Sequence, residues 1–321
     1  MKKALVLGAG GFIGSHLVKR LKAEGYFVRG ADLKAPEFSD SPADQFFILD
    51  LRLLENIHYI MDIHFDEVYQ LAADMGGAGY IFSGDHDADV MHNSAMINLN
   101  VAKQASEMGI TKVFFSSSAC IYPQQNQQNS ENPNCIETSA YPANPDSEYG
   151  WEKLFSERIY KSYQRNYGLD VRIARFHNIF GPEGSWNNGK EKAPAAICRK
   201  VAETKDGGVI EVWGDGKQTR SFLYIDECLE GVRRLVNHSH AIDPVNIGSD
   251  EMVSIDDLVR IIAMIAGKRI MVKHIPGPLG VRGRNSNNHY IEQELGWKPS
   301  SSLIDGLTPT YKWINEQVNG K

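Results

Sequence analysis

Residues 3–14, with the sequence KALVLGAGGFIG, decide the fold of this chain. The apolar run at 3–8 predicts a buried strand, and the apolar spacing of 12–24 predicts a helix. The glycines between them lack a Cβ, so backbone N–H groups can approach a pyrophosphate, whose negative charge the helix N-terminus favours. We therefore predict a dinucleotide-binding turn formed by Gly8, Gly11, Phe12, Ile13 and Gly14.

The alternation of strand and helix continues along the chain. Apolar runs and periodic segments predict strands at 26–31, 45–49, 67–72, 112–117 and 170–176, and helices at 94–108 and 148–167. Strands joined by helices form parallel sheets through right-handed crossovers. We expect an α/β protein with a Rossmann-type doubly wound parallel sheet. The dinucleotide-binding domain is predicted at 1–176 and a smaller mixed α/β substrate-binding domain at 177–321, with part of 220–250 packing back on the first.

Composition narrows the class of protein. The 321 residues carry a net charge of −6, which argues against a surface that coats nucleic acid. No run approaches the roughly 20 apolar residues that span a bilayer, and glycines interrupt the apolar start too early for a signal peptide. We expect a cytoplasmic protein without nucleic-acid or membrane partners. The four cysteines lack metal-ligand spacing, so no metal is expected, and Cys198 and Cys228 are predicted to be buried.

An acidic residue follows the glycine turn at the spacing expected for a ribose contact. Asp32 ends the second predicted strand, about 20 residues beyond the turn, where a carboxylate accepts hydrogen bonds from the adenosine ribose. It would repel a 2′-phosphate, which favours NAD over NADP. Lys34 is a nearby cation that could tolerate that phosphate.

Tyr149 and Lys153 form a Y-x-x-x-K pair on the predicted helix at 148–167. The i, i+4 spacing puts both side chains on one face. A phenol is a weak base at neutral pH, and we expect the Lys153 cation to lower the pKa of Tyr149. Ser118 lies about 30 residues earlier, after a strand that ends at the ligand-binding edge of the sheet, and is expected to hydrogen-bond the substrate hydroxyl.

These motifs resemble those of the extended short-chain dehydrogenases/reductases, and so do the later strings RFHNIFGP at 175–182, WGDGKQTRSFLYID at 213–226 and LGW at 295–297. The resemblance implies that the cofactor also contacts Asp50, Leu51, Leu71, Ala72 and Ala73. It further implies a substrate site that includes Asn178, Lys217, Gln218, Arg220 and Arg282. Guanidinium groups suit a diphosphate because they offer paired donors.

A narrower resemblance is to the GDP-mannose 3,5-epimerases. It is carried by AADMGG at 72–77, SSSACIYP at 116–123, EKAPA at 191–195 and VRGRNS at 281–286. It implies that Gly77, Cys120 and Lys192 lie at the substrate. Other members of the family tend to carry Thr or Glu in place of Cys120, whereas a thiol can exchange a proton with a carbon acid.

The resemblance implies an NAD-dependent reaction on a GDP-sugar, from GDP-D-mannose to GDP-L-galactose or GDP-L-gulose. Tyr149 would assist oxidation at C4, Cys120 and Lys192 would exchange protons at C3 and C5, and C4 would be reduced again. A homodimer is also implied. Two alternatives stay open: a nucleotide-sugar 4-epimerase or 4,6-dehydratase, and a non-catalytic NAD-binding sensor, because a fold alone does not imply activity.

Overall fold

The computed structural model of the chain describes residues 1–277 and 280–320. In chain order its strands are β1 (Lys3–Leu7), β2 (Phe27–Asp32), β3 (Gln45–Ile48), β4 (Glu67–Gln70), β5 (Lys112–Ser118), β6 (Val171–Phe176), β7 (Ile179–Phe180), β8 (Val209–Trp213), β9 (Thr219–Ser221), β10 (Leu223–Tyr224), β11 (Val245–Ile247), β12 (Met252–Ser254), β13 (Met271–Ile275) and β14 (Gly283–Arg284). Its α-helices are α1 (Phe12–Ala23), α2 (Leu54–Ile60), α3 (Ala78–Ile81), α4 (Asp87–Glu107), α5 (Glu148–Tyr167), α6 (Ala193–Glu203), α7 (Ile225–Asn237), α8 (Ile255–Ile265), α9 (His289–Leu295) and α10 (Leu303–Asn319).

Seven strands form one parallel sheet in the order β11-β6-β5-β4-β1-β2-β3. The predicted α/β class with a Rossmann-type doubly wound sheet is therefore confirmed. The helix predicted at 94–108 is longer than expected and begins at Asp87. Asp87 and Asp89 lie in its first turn, where the positive end of the helix dipole interacts favourably with carboxylates.

The strand order reverses at β1, which lies between β2 and β4. Ligands of open parallel sheets bind beyond the carboxyl ends of the strands at such a reversal. Gly8 follows β1, Asp32 ends β2, Leu71 follows β4 and Ser118 ends β5. The predicted cofactor and substrate residues of the first half of the chain therefore share one edge of the sheet.

Both faces of the sheet are covered by apolar side chains. One face packs against α1 and α7, with Leu17, Leu21 and Val232 in its core, and the other packs against α2, α4 and α5. A third apolar cluster joins α6, α8, α10 and β8. In the part of the chain that the structure describes, no helix is both long and apolar enough to cross a membrane.

A buried ion pair fixes α7 to the sheet. Arg233 Nη1 donates to Glu67 Oε2 at 2.8 Å, and its Nη2 donates to the hydroxyl of Tyr26 at 2.8 Å. Arg233 also bonds the hydroxyl of Tyr69, and its Nε donates to Glu24 at 2.9 Å. Residues far apart in sequence are thereby joined inside the protein.

Candidate functional site

Three glycines of the first turn are required by close backbone contacts. Gly8 has a φ of +86°, and a Cβ there would lie 2.7 Å from the amide nitrogen of Ala72. A Cβ on Gly14 would lie 2.0 Å from the carbonyl oxygen of Gly8, and one on Gly10 would lie 2.0 Å from that of Lys34. The turn therefore packs strand, helix and the segment after β4 at distances that only glycine permits. Gly10 was absent from the predicted site residues, although its place in the motif offered the signal.

The N-terminus of α1 is suited to an anion. Gly11 is its N-cap, and among the described residues no side chain caps this end and no acidic residue lies in the first turn. The N–H groups of Phe12, Ile13 and Gly14 begin the helix, where they have no intrahelical acceptor. A cavity of about 80 Å³ lies beside this turn.

Asp32 lies beside the same turn, as predicted. Its Oδ2 accepts a hydrogen bond from the backbone N–H of Gly10 at 2.9 Å. Burial raises the pKa of Asp32, whereas the N–H groups of Gly10, Leu33 and Lys34 act in the opposite direction. The Lys34 ammonium lies 3.8 Å from Glu37. An acceptor at the end of β2 fits a ribose diol.

The remaining predicted cofactor residues lie at the same edge of the sheet. Asp50 forms an ion pair with Arg52 at 2.6 Å, which lowers the pKa of Asp50, and Leu51 is buried. Leu71 donates its N–H to Leu7, which continues the pairing of β4 with β1, and Ala72 follows against Gly8. The half-buried Ala73 comes next in the chain. The glycine turn, the N-terminus of α1 and the carboxylate of Asp32 together fit NAD.

Tyr149 and Lys153 lie buried on one face of α5, next to the end of β5. The Lys153 ammonium donates to the carbonyl of Ser116 at 2.9 Å and lies 5.7 Å from the ring centroid of Tyr149. The Ser118 side chain lies near enough to the Tyr149 phenol to act against the rise of its pKa. The structure therefore brings together the three residues of the predicted oxidation site.

The protonation of Tyr149 differs from the expectation. Burial raises the pKa of Tyr149, and Cys120 and Glu152 raise it further, while Ser118 and Arg284 act in the opposite direction. The expected lowering by Lys153 is therefore not what the structure shows. Desolvation disfavours the phenolate, and burial also lowers the pKa of Lys153 itself.

Cys120 lies in a single 3₁₀ turn that follows β5 directly. Its backbone N–H donates to the hydroxyl of Ser118 at 3.2 Å, which caps the turn. Its Sγ accepts a hydrogen bond from Nη1 of Arg284 at 3.1 Å. Arg284 also contacts Asp146 at 2.9 Å. Arg284 belongs to the string VRGRNS at 281–286, but the sequence predicted no role for it.

Lys192 approaches the same place from the other half of the chain. It is the N-cap residue of α6, and Gly77 lies against the preceding residue, since a Cβ on Gly77 would lie 2.5 Å from the carbonyl oxygen of Glu191. Burial lowers the pKa of Lys192, and its electrostatic interaction with Cys120 acts in the opposite direction. The predicted pair Cys120 and Lys192 is therefore close enough to interact.

The predicted diphosphate residues fall into two groups. Asn178 has the uncommon φ of +45° and donates to the carbonyl of Ser221 at 3.0 Å. Arg220 donates to the carbonyl of Val281 at 2.7 Å, and burial together with Arg284 lowers the pKa of Arg220 to about 10. Gln218 Oε1 is buried without a partner among the described residues.

The other two predicted residues lie further out. Lys217 is exposed, and Arg282 pairs with Asp215 at 3.0 Å on the surface. The pairing of β9 with β14 places Arg220 opposite Arg284, and Asn178 bonds the residue that follows Arg220. Lys217 and Arg282 lie further towards the surface.

A larger cavity of about 720 Å³ lies elsewhere, along the carboxyl half of α5. None of the predicted site residues lines it. Its charged residues include Lys161 paired with Asp243 and Arg175 paired with Glu157. The candidate site is therefore defined by its chemistry and not by the size of the cavity.

Comparison with known proteins agrees with this geometry. The chain matches the NAD dependent epimerase/dehydratase family over residues 4–248. It is 48% identical over 318 residues to GDP-mannose 3,5-epimerase from Arabidopsis thaliana, which covers 98% of this chain and 83% of that protein. NAD as cofactor is thereby confirmed.

Solved structures share the fold over nearly the whole chain. UDP-glucuronic acid 4-epimerase from Bacillus cereus, in complex with UDP-glucuronic acid and NAD, has a TM-score of 0.81 at 26% identity and covers 98% of this chain and 99% of that one. UDP-glucose 4-epimerase from Thermotoga maritima has a TM-score of 0.86 at 24% identity, with coverage of 98% and 99%, which shows the fold alone. The resemblance inferred from the motifs is confirmed: the chain belongs to the NAD-dependent epimerase/dehydratase family.

Proposed function

We propose that this enzyme epimerises GDP-D-mannose at C3 and C5, giving GDP-L-galactose, or GDP-L-gulose where C5 alone inverts. The observation that carries the proposal is the position of Cys120 between two groups on separate elements, Tyr149 on α5 and Lys192 at the start of α6. Cys120 interacts electrostatically with both Lys192 and Tyr149. The name of the 48% identical plant relative supports the same substrate.

The first stage of the proposed reaction depends on Tyr149. Its phenol lies beside Ser118, so a sugar hydroxyl held there by Ser118 can pass its proton to the phenolate. Lys153, beneath the phenol, stabilises the negative charge that develops on it. The glycine turn and Asp32 would hold NAD, which would supply the hydride acceptor for oxidation at C4 and the donor for its reduction.

The second stage depends on Cys120 and Lys192. A ketone at C4 acidifies the C–H bonds at C3 and C5, which both flank it. One of the two side chains removes a proton from one face, and the other returns a proton to the opposite face, which inverts the carbon. Two groups on separate elements are suited to opposite faces of one sugar ring.

We also propose that Asn178, Gln218 and Arg220 hold the diphosphate, with Lys217 and Arg282 closing over it from the rim. Two features support a ligand contact there: Gln218 Oε1 is buried and has no partner in the described ranges 1–277 and 280–320, and Asn178 has a left-handed backbone. Gly77 would place the segment of Lys192 against the sugar.

A homodimer and a cytoplasmic location are further proposals. Leu99 on α4 and Trp151 and Phe155 on α5 expose apolar side chains on two helices that pack together, which supports self-association. All four cysteines are free thiols, which suits a reducing compartment. Light scattering tests the dimer.

The deciding experiment is incubation with GDP-D-mannose in heavy water, followed by NMR of the products. Deuterium at both C3 and C5 is expected. A 4-epimerase would invert C4 without labelling C3 or C5, and a 4,6-dehydratase would release water and form a 6-deoxy sugar. Binding of NAD without any turnover would favour the sensor.

A further inference from the structure

Arg284 contacts Cys120 directly, although it lies 164 residues further along the chain. Its Nη1 donates to the Cys120 sulfur at 3.1 Å. Arg284 belongs to β14, which pairs with β9. A cation from the C-terminal part of the chain therefore lies beside the turn after β5. The contact is buried, since Arg284 is only 6% exposed.

The guanidinium is fixed on its other sides. Nη2 donates to Asp146 Oδ2 at 2.9 Å, and Nε donates to Gln127 Oε1 at 2.5 Å. Gln127 is itself fully buried and donates to the carbonyl of Tyr122 at 3.0 Å. Each of the three nitrogens of Arg284 therefore has a partner, and the partner of Nη1 is the thiol. A planar guanidinium held in this way cannot turn away from the sulfur.

Electrostatics around Arg284 agree with this geometry. Burial by itself would lower the pKa of Arg284, but Cys120 and Asp146 outweigh burial and raise it. Among the described residues, the titratable groups that interact electrostatically with Cys120 include the cations of Lys153, Lys192 and Arg220 and the phenol of Tyr149. Asp146 adds one carboxylate, which is paired with Arg284. The sulfur therefore lies in a mainly cationic surrounding.

A hydrogen bond from a guanidinium is stronger to an anion than to a neutral acceptor, so this contact favours the thiolate over the thiol. We propose that Arg284 is a positioning residue that holds Cys120 in its thiolate form, with Asp146 fixing the guanidinium. The thiolate is the form of the side chain that accepts a proton. The use of that thiolate at the sugar rests on the proposed function, whereas its existence does not.

The proposal can be tested on the sulfur itself, without substrate. The whole enzyme is treated with iodoacetamide at a series of pH values, and carboxamidomethylation of Cys120 is quantified by peptide mass spectrometry. Cys120 is partly exposed, whereas Cys135, Cys198 and Cys228 are buried. In Arg284→Met the midpoint of alkylation should rise by about one pH unit or more. Arg284→Lys should show a smaller rise, because it keeps a positive charge at this position.

Arg172 provides a matched control, because it is a fully buried arginine at the start of β6 that pairs with Asp170 at 2.8 Å. Arg172→Met should lower stability and leave the alkylation midpoint of Cys120 unchanged. An unchanged midpoint in Arg284→Met would overturn the proposal. If that variant does not fold, an unchanged midpoint in Arg284→Gln, which removes the charge but keeps a polar side chain, would overturn it equally.

Deuterium exchange separates this proposal from the proposed function. With GDP-D-mannose in heavy water, Arg284→Met should lose exchange at C3 and C5 relative to the wild type, at least tenfold at neutral pH, and Arg284→Lys should recover part of it. A shifted alkylation midpoint in an enzyme whose wild type exchanges no label would sustain the role of Arg284 and reject the sugar chemistry. An unshifted midpoint in an enzyme that exchanges label would do the reverse.

Discussion

Gly150 lies directly against the backbone of Cys120: a Cβ on Gly150 would be 2.2 Å from the Cys120 carbonyl oxygen. This contact joins α5, which carries Tyr149 and Lys153, to the turn that carries the thiol. The two proposed stages of the reaction therefore share one rigid junction, and a shift in either element displaces the other.

Gly150→Ala should disturb both stages. The added methyl group overlaps the main chain of Cys120, so α5 must move away from the turn. We expect a loss of about 1–3 kcal/mol in the free energy of unfolding and at least a tenfold loss of turnover. Thermal unfolding and product formation measure the two effects. Gly79→Ala is the control, because its nearest contact would be Trp213 at an ordinary 3.9 Å, and it should be tolerated. Equal behaviour of the two variants would reject the junction.

Tyr149→Phe should block the first oxidation. It removes the hydroxyl that interacts with Ser118 and leaves the packing of the ring in place. We expect a loss of at least about a hundredfold, the low end for removal of a positioned acid or base. Absorbance of NADH in a single turnover reports the step. Near-normal oxidation in this variant would move the role of base to another residue.

The first oxidation should become faster as pH rises. Because burial raises the pKa of Tyr149, the phenol is protonated at neutral pH and its base form grows as pH approaches that raised pKa. The single-turnover rate should increase with pH by up to about tenfold per unit. Lys153→Met removes a neighbouring cation and should move the rise to still higher pH. A rate that is flat between neutral and alkaline pH would contradict this account.

Cys120→Ser should separate oxidation from epimerisation. A serine hydroxyl has nearly the shape of the thiol but is a far weaker acid, so proton exchange at C3 and C5 should stop while C4 is still oxidised reversibly. Lys192→Ala should give a similar block. Deuterium content at each carbon, measured by NMR for both variants, checks the expectation. Incorporation at the wild-type rate in Cys120→Ser would make Cys120 a packing residue and favour an ordinary 4-epimerase.

Asp32 should make the enzyme prefer NAD to NADP by at least tenfold in affinity. Its carboxylate lies beside the glycine turn, where a 2′-phosphate would meet a like charge. Asp32→Ala should narrow the preference, helped by the nearby Lys34. Asp40→Ala is the control, since Asp40 is an exposed carboxylate of the following loop. Titration of each variant with both dinucleotides measures the ratio, and equal affinities in the wild type would refute the role of Asp32.

The sequence predicts features that depend on local pattern. The glycine turn, the strand alternation and the i, i+4 pair of Tyr149 and Lys153 follow from spacing alone, and the sheet confirms the fold that they imply. The roles of the individual site residues and the division of the chain at residue 176 remain predictions.

Contacts between distant segments were not predictable in this way. Arg284 reaches Cys120 and Asp146 through strand pairing that no periodicity encodes. The segment between β5 and α5 is rich in Pro, Asn, Gln and Ser, and this polar composition gave no indication that the side chains of Gln127 and Asp146 are buried. The predicted change in the pKa of Tyr149 was wrong in direction, because the sequence reveals the neighbouring Lys153 cation but not how far the phenol is desolvated.

The ion pair between Arg233 and Glu67 bears on whether the cofactor-binding half can be separated from the rest. A fragment ending after β6 would keep Glu67 but lose Arg233, which leaves a buried carboxylate without its counter-charge. The fragment would also lack α7, so the face of α1 that packs against α7 would be exposed to solvent. We therefore expect the predicted dinucleotide-binding domain at 1–176 not to fold by itself, so a gene fusion or domain exchange that cuts the chain there would expose surface that is buried in the whole protein.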